Sequence, residues 1–279
     1  MRPVTGDLTK ERVTIPSAVG ELAVHQCGIG SQTIVLWPSI FTDHQIYDRL
    51  VARLSDRVRF VLIDGPGHGS SGGPGRICSG AEFGQGMIDV MNALDIERAV
   101  VGGTSWGGLV GAEVATTAAD RVDALLLMNT PMNLDRRRPG LKSRAIAFGA
   151  RWMLQTQLFR DGVAKSFFAD ETLKRSSSAM EAFHEMLSAA DPRELSLAVR
   201  SVLLEGEPLM ERLERISVPT LVIAGMDDEM YPLPTQVEAG LRVPKGQFQA
   251  VEGRHISVVD APNTVAQTLW KFLVQEVNA

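Results

Sequence analysis

Hydrophobic positions along the first half of the chain switch between two periods. Glu11 to Gln26 (ERVTIPSAVGELAVHQ) alternates polar with apolar residues and predicts two short strands turning near Val19-Gly20. Thr33 to Trp37 (TIVLW) and Val58 to Ile63 (VRFVLI) are continuous β-branched and apolar runs, as expected of strands buried on both faces. Between them Ile46, Tyr47, Leu50, Val51 and Leu54 recur at helical spacing. A helical pattern from Phe83 to Leu94 leads to a short strand, Arg98 to Gly102, that enters a glycine-rich turn. A helix from Trp106 to Ala118 and a strand from Ala124 to Met128 follow. Strand alternating with helix predicts an α/β fold, with a mostly parallel sheet covered by helices on both faces.

The alternation stops after Thr130-Pro131 and resumes with the strand Val218 to Gly225. A helix over 233–241, a strand over 247–251 and a final helix over 260–276 close the chain. Residues 132–216 read as all-helical and richer in charge. The predicted organisation is a core formed by 1–131 and 217–279, with 132–216 inserted as a helical cap over the C-terminal ends of the strands, where open α/β sheets place their ligands. Within the insertion, Ser176-Ser177-Ser178 reads as a helix start or loop. Phe148, Trp152, Met153, Leu154, Leu158, Phe159, Phe167 and Phe168 form a dense apolar set, expected mostly to pack the insertion against the core and partly to line an apolar pocket.

Composition narrows the function classes. The 279 residues, 44% hydrophobic and 22% charged, suit a soluble globular chain that needs no covalent staples. The net charge of -5 provides no basic face for nucleic acid. Cys27 and Cys78 lack metal-site spacing and read as free thiols of a reducing compartment. The first residues contain no apolar signal segment, and no run is long and apolar enough to span a membrane. The expectation is a cytoplasmic protein, monomer or homodimer, acting on a small-molecule substrate without metal or organic cofactor.

Gly103-Thr104-Ser105-Trp106-Gly107 is a G-x-S-x-G pentapeptide set between a β-branched strand and a helix. A turn that sharp holds the serine in a strained backbone conformation and needs small residues two positions away on either side. It also puts Ser105 at a helix N-terminus, whose free N–H groups favour developing negative charge. A serine nucleophile needs a base. Of His25, His44, His68, His184 and His255, only the last two follow Ser105, as the order serine, acid, histidine requires. His184 lies within the insertion, whereas His255 lies in a loop between a strand and the last helix and is the candidate base. The acid that holds the base belongs in the loop Gly225 to Pro232, where Asp227, Asp228 and Glu229 stand in a row; chemistry alone does not choose among them.

Asp64-Gly65-Pro66-Gly67-His68-Gly69-Ser70-Ser71 resembles the D-x-P-G-x-G-x-S loop of α/β-hydrolases of the esterase, lactonase and C–C hydrolase group. With the pentapeptide, the GMDDEMYP loop and the closing GRHISVVDAP, the similarity covers nearly the whole chain. It implies an α/β-hydrolase fold with an eight-stranded, mostly parallel sheet and a helical cap. The family's Gly-x-x-Asp-x-x-x-Pro spacing implies Asp228 as the acid and makes His68 a structural loop residue. Oxyanion stabilisation needs two backbone N–H groups. The resemblance implies Trp106 for one and, by position, Ile40 for the other. The family's His-Gly is replaced by Trp37-Pro38-Ser39, and Pro38 has no N–H to give.

Ser39-Ile40-x-Thr42-Asp43 is similar to the loop of bacterial 3-oxoadipate enol-lactonases, with Phe41 where those enzymes commonly have glycine. Phe41 and Trp106 are candidates either for lining the substrate pocket or for the aromatic core, and His44 for starting a helix. Asp135 to Pro139 reads as a solvated loop in preference to a carboxylate site. The implied activity is hydrolysis of an ester or lactone through an acyl-enzyme on Ser105. C–C bond hydrolysis of a β-diketone-like compound and cofactor-free perhydrolysis are alternatives with the same triad. A non-enzymatic binding protein would call for a damaged triad, and aspartate-dependent dehalogenases and epoxide hydrolases are disfavoured by the serine.

Overall fold

The strand runs join into one eight-stranded sheet of order β1-β2-β4-β3-β5-β6-β7-β8. A computed structural model describes residues 10–175 and 177–277; Ser176 of the serine triplet lies outside the described residues, as do the first nine. The strands are β1 (Glu11–Ser17), β2 (Gly20–Cys27), β3 (Gln32–Trp37), β4 (Val58–Ile63), β5 (Ala99–Thr104), β6 (Val122–Met128), β7 (Thr220–Gly225) and β8 (Gly246–Val251). β1 pairs antiparallel with β2, and β2 with β4; every later pairing is parallel. β5 and β7, each flanked by a strand on both sides, are buried throughout, which is why they read as largely apolar runs. β8, at the sheet's end, buries only Val251, and its sequence GQFQAV is correspondingly mixed.

Around the sheet lie α1 (Asp48–Leu54), α2 (Gly80–Ala93), α3 (Trp106–Thr117), α9 (Leu233–Arg242) and α11 (Pro262–Glu276), with the short α10 (Ser257–Asp260) packed against α11 and α1. α2 starts three residues ahead of the periodic pattern. Ser79 and Glu82 form a reciprocal capping box there, which satisfies first-turn N–H groups that hydrophobic spacing cannot report. A 3₁₀ turn, His44–Tyr47, precedes α1 and is capped by Asp43.

Between β6 and β7 the chain forms α4 (Leu141–Trp152), α5 (Gln157–Phe167), α6 (Asp170–Arg175), α7 (Ser177–Ala189) and α8 (Pro192–Leu203), then a 3₁₀ turn, Met210–Arg215. α4 packs on α8. The end of α5 is tied to the loop after β8, where Ile256 N–H donates to Phe167 O at 2.9 Å and Arg254 donates to Lys165 O, and α6 is tied to α10 by Thr172, which donates to Asp260. The apolar set of this region divides. Leu154, Phe167 and Phe168 are buried, but Phe148, Trp152 and Leu158 are mostly exposed, contrary to the expectation that the set packs inward. The periodicity misleads because α4 turns its small residues, Ala147, Gly149 and Ala150, to the interior instead.

One side chain ties β3 to β5 at their C-terminal ends. Tyr47 O–H donates to Trp37 O at 2.7 Å and accepts from Thr104 N–H at 2.9 Å. Removing the hydroxyl in Tyr47→Phe strands two buried backbone groups. We expect a loss of about 1–3 kcal/mol, read as a lowered urea midpoint with an unchanged slope; an unaltered midpoint would show that the bridge carries no stability.

Candidate active site

Ser105 is the residue at which β5 becomes α3. Its φ of 56° and ψ of -108° put a non-glycine residue at positive φ, and its N–H is anchored to Met128 O on β6 at 2.7 Å. The two glycines of the pentapeptide answer to one atom. A Cβ at Gly103 would lie 1.9 Å from Trp37 O, and one at Gly107 would lie 1.8 Å from it. The predicted need for small neighbours is thus a close approach of the turn to the end of β3.

His255 follows β8 and is buried, its ring between Phe167 and Tyr231 at centroid distances of 5.1 and 5.2 Å. Its Nδ1 meets Asp228 Oδ2 at 2.9 Å, which leaves Nε2 as the nitrogen free to exchange a proton with a substrate or hydroxyl. Of the three acids after β7, Asp228 is buried and Asp227 and Glu229 are exposed. The second oxygen of Asp228 accepts Met230 N–H at 2.9 Å and Tyr231 N–H at 3.2 Å. Burial pushes this carboxyl's pKa up, but the His255 hydrogen bond and charge, with Asn129 and Met230 N–H, outweigh it and hold the group below its usual value.

Asn129 has no place in the motifs of the sequence. It sits just past β6 at a φ of 49°. Its amide donates to Asp228 Oδ2 at 3.0 Å and to Arg254 O at 3.2 Å, and its carbonyl oxygen accepts from Ser257 O–H. Ser105, Asn129, Asp228 and His255 therefore stand past the C-terminal ends of four adjacent strands, β5 to β8.

Phe41, in the loop after β3, is a further non-glycine residue at positive φ, 62°. Its N–H donates to His68 Nε2 at 2.9 Å, and His68 Nδ1–H is satisfied by Pro66 O at 3.0 Å. The Phe41 amide is committed, so Ile40 N–H remains the candidate donor of this loop. Ile40 and Phe41 border an apolar cavity of about 300 Å³ whose wall includes Ile146, Phe159, Phe167 and Met230. The Trp106 ring lies elsewhere. It is buried edge-on against Trp37 and Phe83 and borders a different cavity with Leu109, Glu113 and Arg212, so what it can offer Ser105 is its backbone. His184 lies on α7, 3.5 Å from Asp161.

His25, His44 and Asp64 form a cluster with metal-ligand chemistry. His44 Nδ1 is 2.7 Å and His25 Nε2 3.3 Å from the Asp64 carboxylate, which also accepts the N–H groups of His44 and Ser70 at 2.9 Å. The two imidazoles are stacked, 3.5 Å apart and 14° from parallel. Lone pairs in parallel ring planes do not converge on one ion, so the donors fit a buried carboxylate better than a metal. Asp64 is held below its usual pKa; burial opposes this, and the two histidines and Ser70 prevail.

A family model described as the alpha/beta hydrolase family matches residues 34–268. A 3-oxoadipate enol-lactonase 1 from Acinetobacter baylyi is 26% identical, the match covering 86% of this chain and 88% of the relative. The enol-lactonase from Burkholderia xenovorans superimposes with a TM-score of 0.85 at 25% identity, over 92% of this chain and 99% of that one. A thermophilic esterase from Thermogutta terrifontis has a TM-score of 0.86 at 22% identity, over 96% and 99%, which bears on the fold alone.

Burial pushes the His68 pKa down from 6.5 to about 4, against the raising influence of Pro66 and Asp64. The folded protein therefore resists a proton that the unfolded chain takes up near pH 6.5. Stability is complete above that pH and falls as the pH drops towards 4, by about 3 kcal/mol in all. In urea titrations, His68→Gln should lose less stability than the wild type between pH 7 and pH 4; parallel losses would mean that His68 does not resist protonation.

Proposed function

Because the chain belongs to the alpha/beta hydrolase family, we propose that it hydrolyses a carboxylic ester or lactone of a small molecule through the triad Ser105, His255 and Asp228. The observation that carries this is the buried His255–Asp228 pair, 2.9 Å apart, in one row of strand ends with the strained Ser105. Ser105 Oγ attacks the carbonyl while His255 Nε2 takes its proton. Asp228 keeps the imidazole in the Nδ1–H tautomer and stabilises the imidazolium. The N–H groups of Trp106 and Ile40 receive the oxyanion. His255 returns the proton to the leaving oxygen, then takes a proton from the water that attacks the acyl-enzyme and hands it to Ser105 Oγ as the acid departs. No step calls for a metal or an organic cofactor.

Residues 132–216 act in this reading as a cap, and the cavity beside Ile40 and Phe41 receives the substrate's apolar arm. The Acinetobacter relative is named as an enol-lactonase. The Phe41 ring, packed against Phe159 and Phe167, favours an apolar arm over a small polar one here.

A fluorophosphonate probe should add once to the wild type, as read by intact mass, and not at all to Ser105→Ala. Asp228→Asn should lower kcat by about ten-thousand-fold, the size of effect that a wrong imidazole tautomer produces. Full ester turnover by Ser105→Ala would overturn the mechanism. Gly162 borders the cavity, and a Cβ there meets nothing within 4 Å. Gly162→Phe should fill this space and lower the kcat/KM ratio of octanoate over acetate esters by about tenfold, corresponding to roughly 1.4 kcal/mol. An unchanged ratio would place the acyl arm elsewhere.

A further inference from the structure

α4 is amphipathic the wrong way round for a helix on a protein surface. It buries Ala147, Gly149 and Ala150 against the neighbouring helices and holds Leu141, Phe148 and Trp152 in solvent at 87%, 61% and 65% exposure. Leu158, at the start of α5, adds a fourth large apolar side chain at 77% exposure. Leu141, Phe148 and Trp152 are spaced seven and four residues apart, so they share one side of the helix.

Charge follows the same segment. Residues 136–160 hold seven arginines and lysines and no acid, in a chain whose net charge is -5. Lys142, Arg144 and Arg151 belong to α4 itself, and the Arg151 guanidinium lies 4.5 Å from the Trp152 ring centroid. Large apolar and aromatic side chains interspersed with cations are the features of a helix that lies in the interface of a membrane. The face is also continuous with the acyl cavity, whose wall includes Lys142, Met153 and Leu158.

A second copy of the chain is the other natural cover for such a face. Arg136 already pairs with Glu207 at 3.3 Å, but a symmetric pair would set Lys142, Arg144 and Arg151 of α4 against a face with no acid of its own to neutralise them. An anionic lipid surface supplies both the counter-charge and an apolar layer for the rings. Among the described residues no helix is long and apolar enough to cross a membrane, so contact here is at the surface.

We propose that the exposed face of α4 and the start of α5 dock on an anionic lipid surface, bringing the mouth of the acyl cavity against it. The proposal rests on the ester-hydrolase reading for its substrate but not for its binding. It is tested by co-sedimentation with unilamellar vesicles of phosphatidylcholine alone or mixed equally with phosphatidylglycerol, at low and high salt. The wild type should bind the anionic vesicles at least about tenfold more tightly, and salt should weaken this. Phe148→Ser with Trp152→Ser, and separately Arg144→Glu with Arg151→Glu, should each reduce binding by about tenfold or more. Both double variants should turn over a soluble acetate ester as the wild type does, since none of these four residues borders the cavity or the triad.

Failure of the wild type to bind anionic vesicles, or equal binding by the variants, would overturn the proposal. So would a dimer in sedimentation velocity that Phe148→Ser with Trp152→Ser dissociates, because the face would then belong to a second copy. Absence of soluble-ester turnover in the wild type would instead sink the hydrolase reading and leave the vesicle result standing by itself.

Discussion

The carbonyl oxygen of Trp37 is the point around which the site is built. Both glycines of the pentapeptide give way to it, with room for no Cβ at either position. Tyr47 O–H bonds the same oxygen and passes the constraint to Thr104 N–H, one residue before Ser105. β5 is held between β3 and β6, and α3 starts immediately after the turn, so Ser105 has no unstrained alternative. A positive-φ serine costs of order 1–3 kcal/mol and survives only where its surroundings over-determine it. Here the strands, the tyrosine and the carbonyl do so together.

Two buried carboxylates repeat one solution in different service. Asp228 and Asp64 are each kept ionised by donors that saturate both oxygens, and each accepts from a histidine. Around Asp228 the donors leave one imidazole nitrogen free for chemistry. Around Asp64 they tie β2, the end of β4 and the turn before α1 to the 64–71 loop, and Ser71 O–H adds a bond to Asp64 O. That loop brings His68 under the Phe41 amide. The strained backbone beside the candidate oxyanion donor is thus braced through His68, 27 residues away in sequence, on the loop that Asp64 organises.

What the sequence made legible was what local pattern encodes. Buried strands appeared as apolar runs, and the strained turn at Ser105 as a pentapeptide between a strand and a helix. Asp228 could be picked from three adjacent acids only through family spacing, because what separates it from Asp227 is burial and the reach to His255. Asn129 and Ser257 were invisible: their bonds span 99 and 128 residues, and an asparagine after a strand has no spacing to betray it. The Phe41–His68 bond was hidden for the same reason. α4 misled in the opposite direction. Alanine, glycine, phenylalanine and tryptophan all count as apolar in a periodic pattern, and only packing against α8 decides that the small ones face inward.

α5 gives these separate regions a mechanical relation. It runs eleven residues, roughly 16 Å at the rise of an α-helix. Leu158 near its start is on the exposed apolar face. At its other end the Phe167 ring packs on His255, and the Phe167 carbonyl accepts Ile256 N–H. Phe159 and Phe167, on the same helix, both touch the Phe41 ring. A helix moves as a rod because its backbone hydrogen bonds are internal, so a displacement at Leu158 reaches the ring that walls the histidine and the loop carrying Ile40. Packing on this one helix therefore joins the surface where a substrate would arrive to the groups that would act on it.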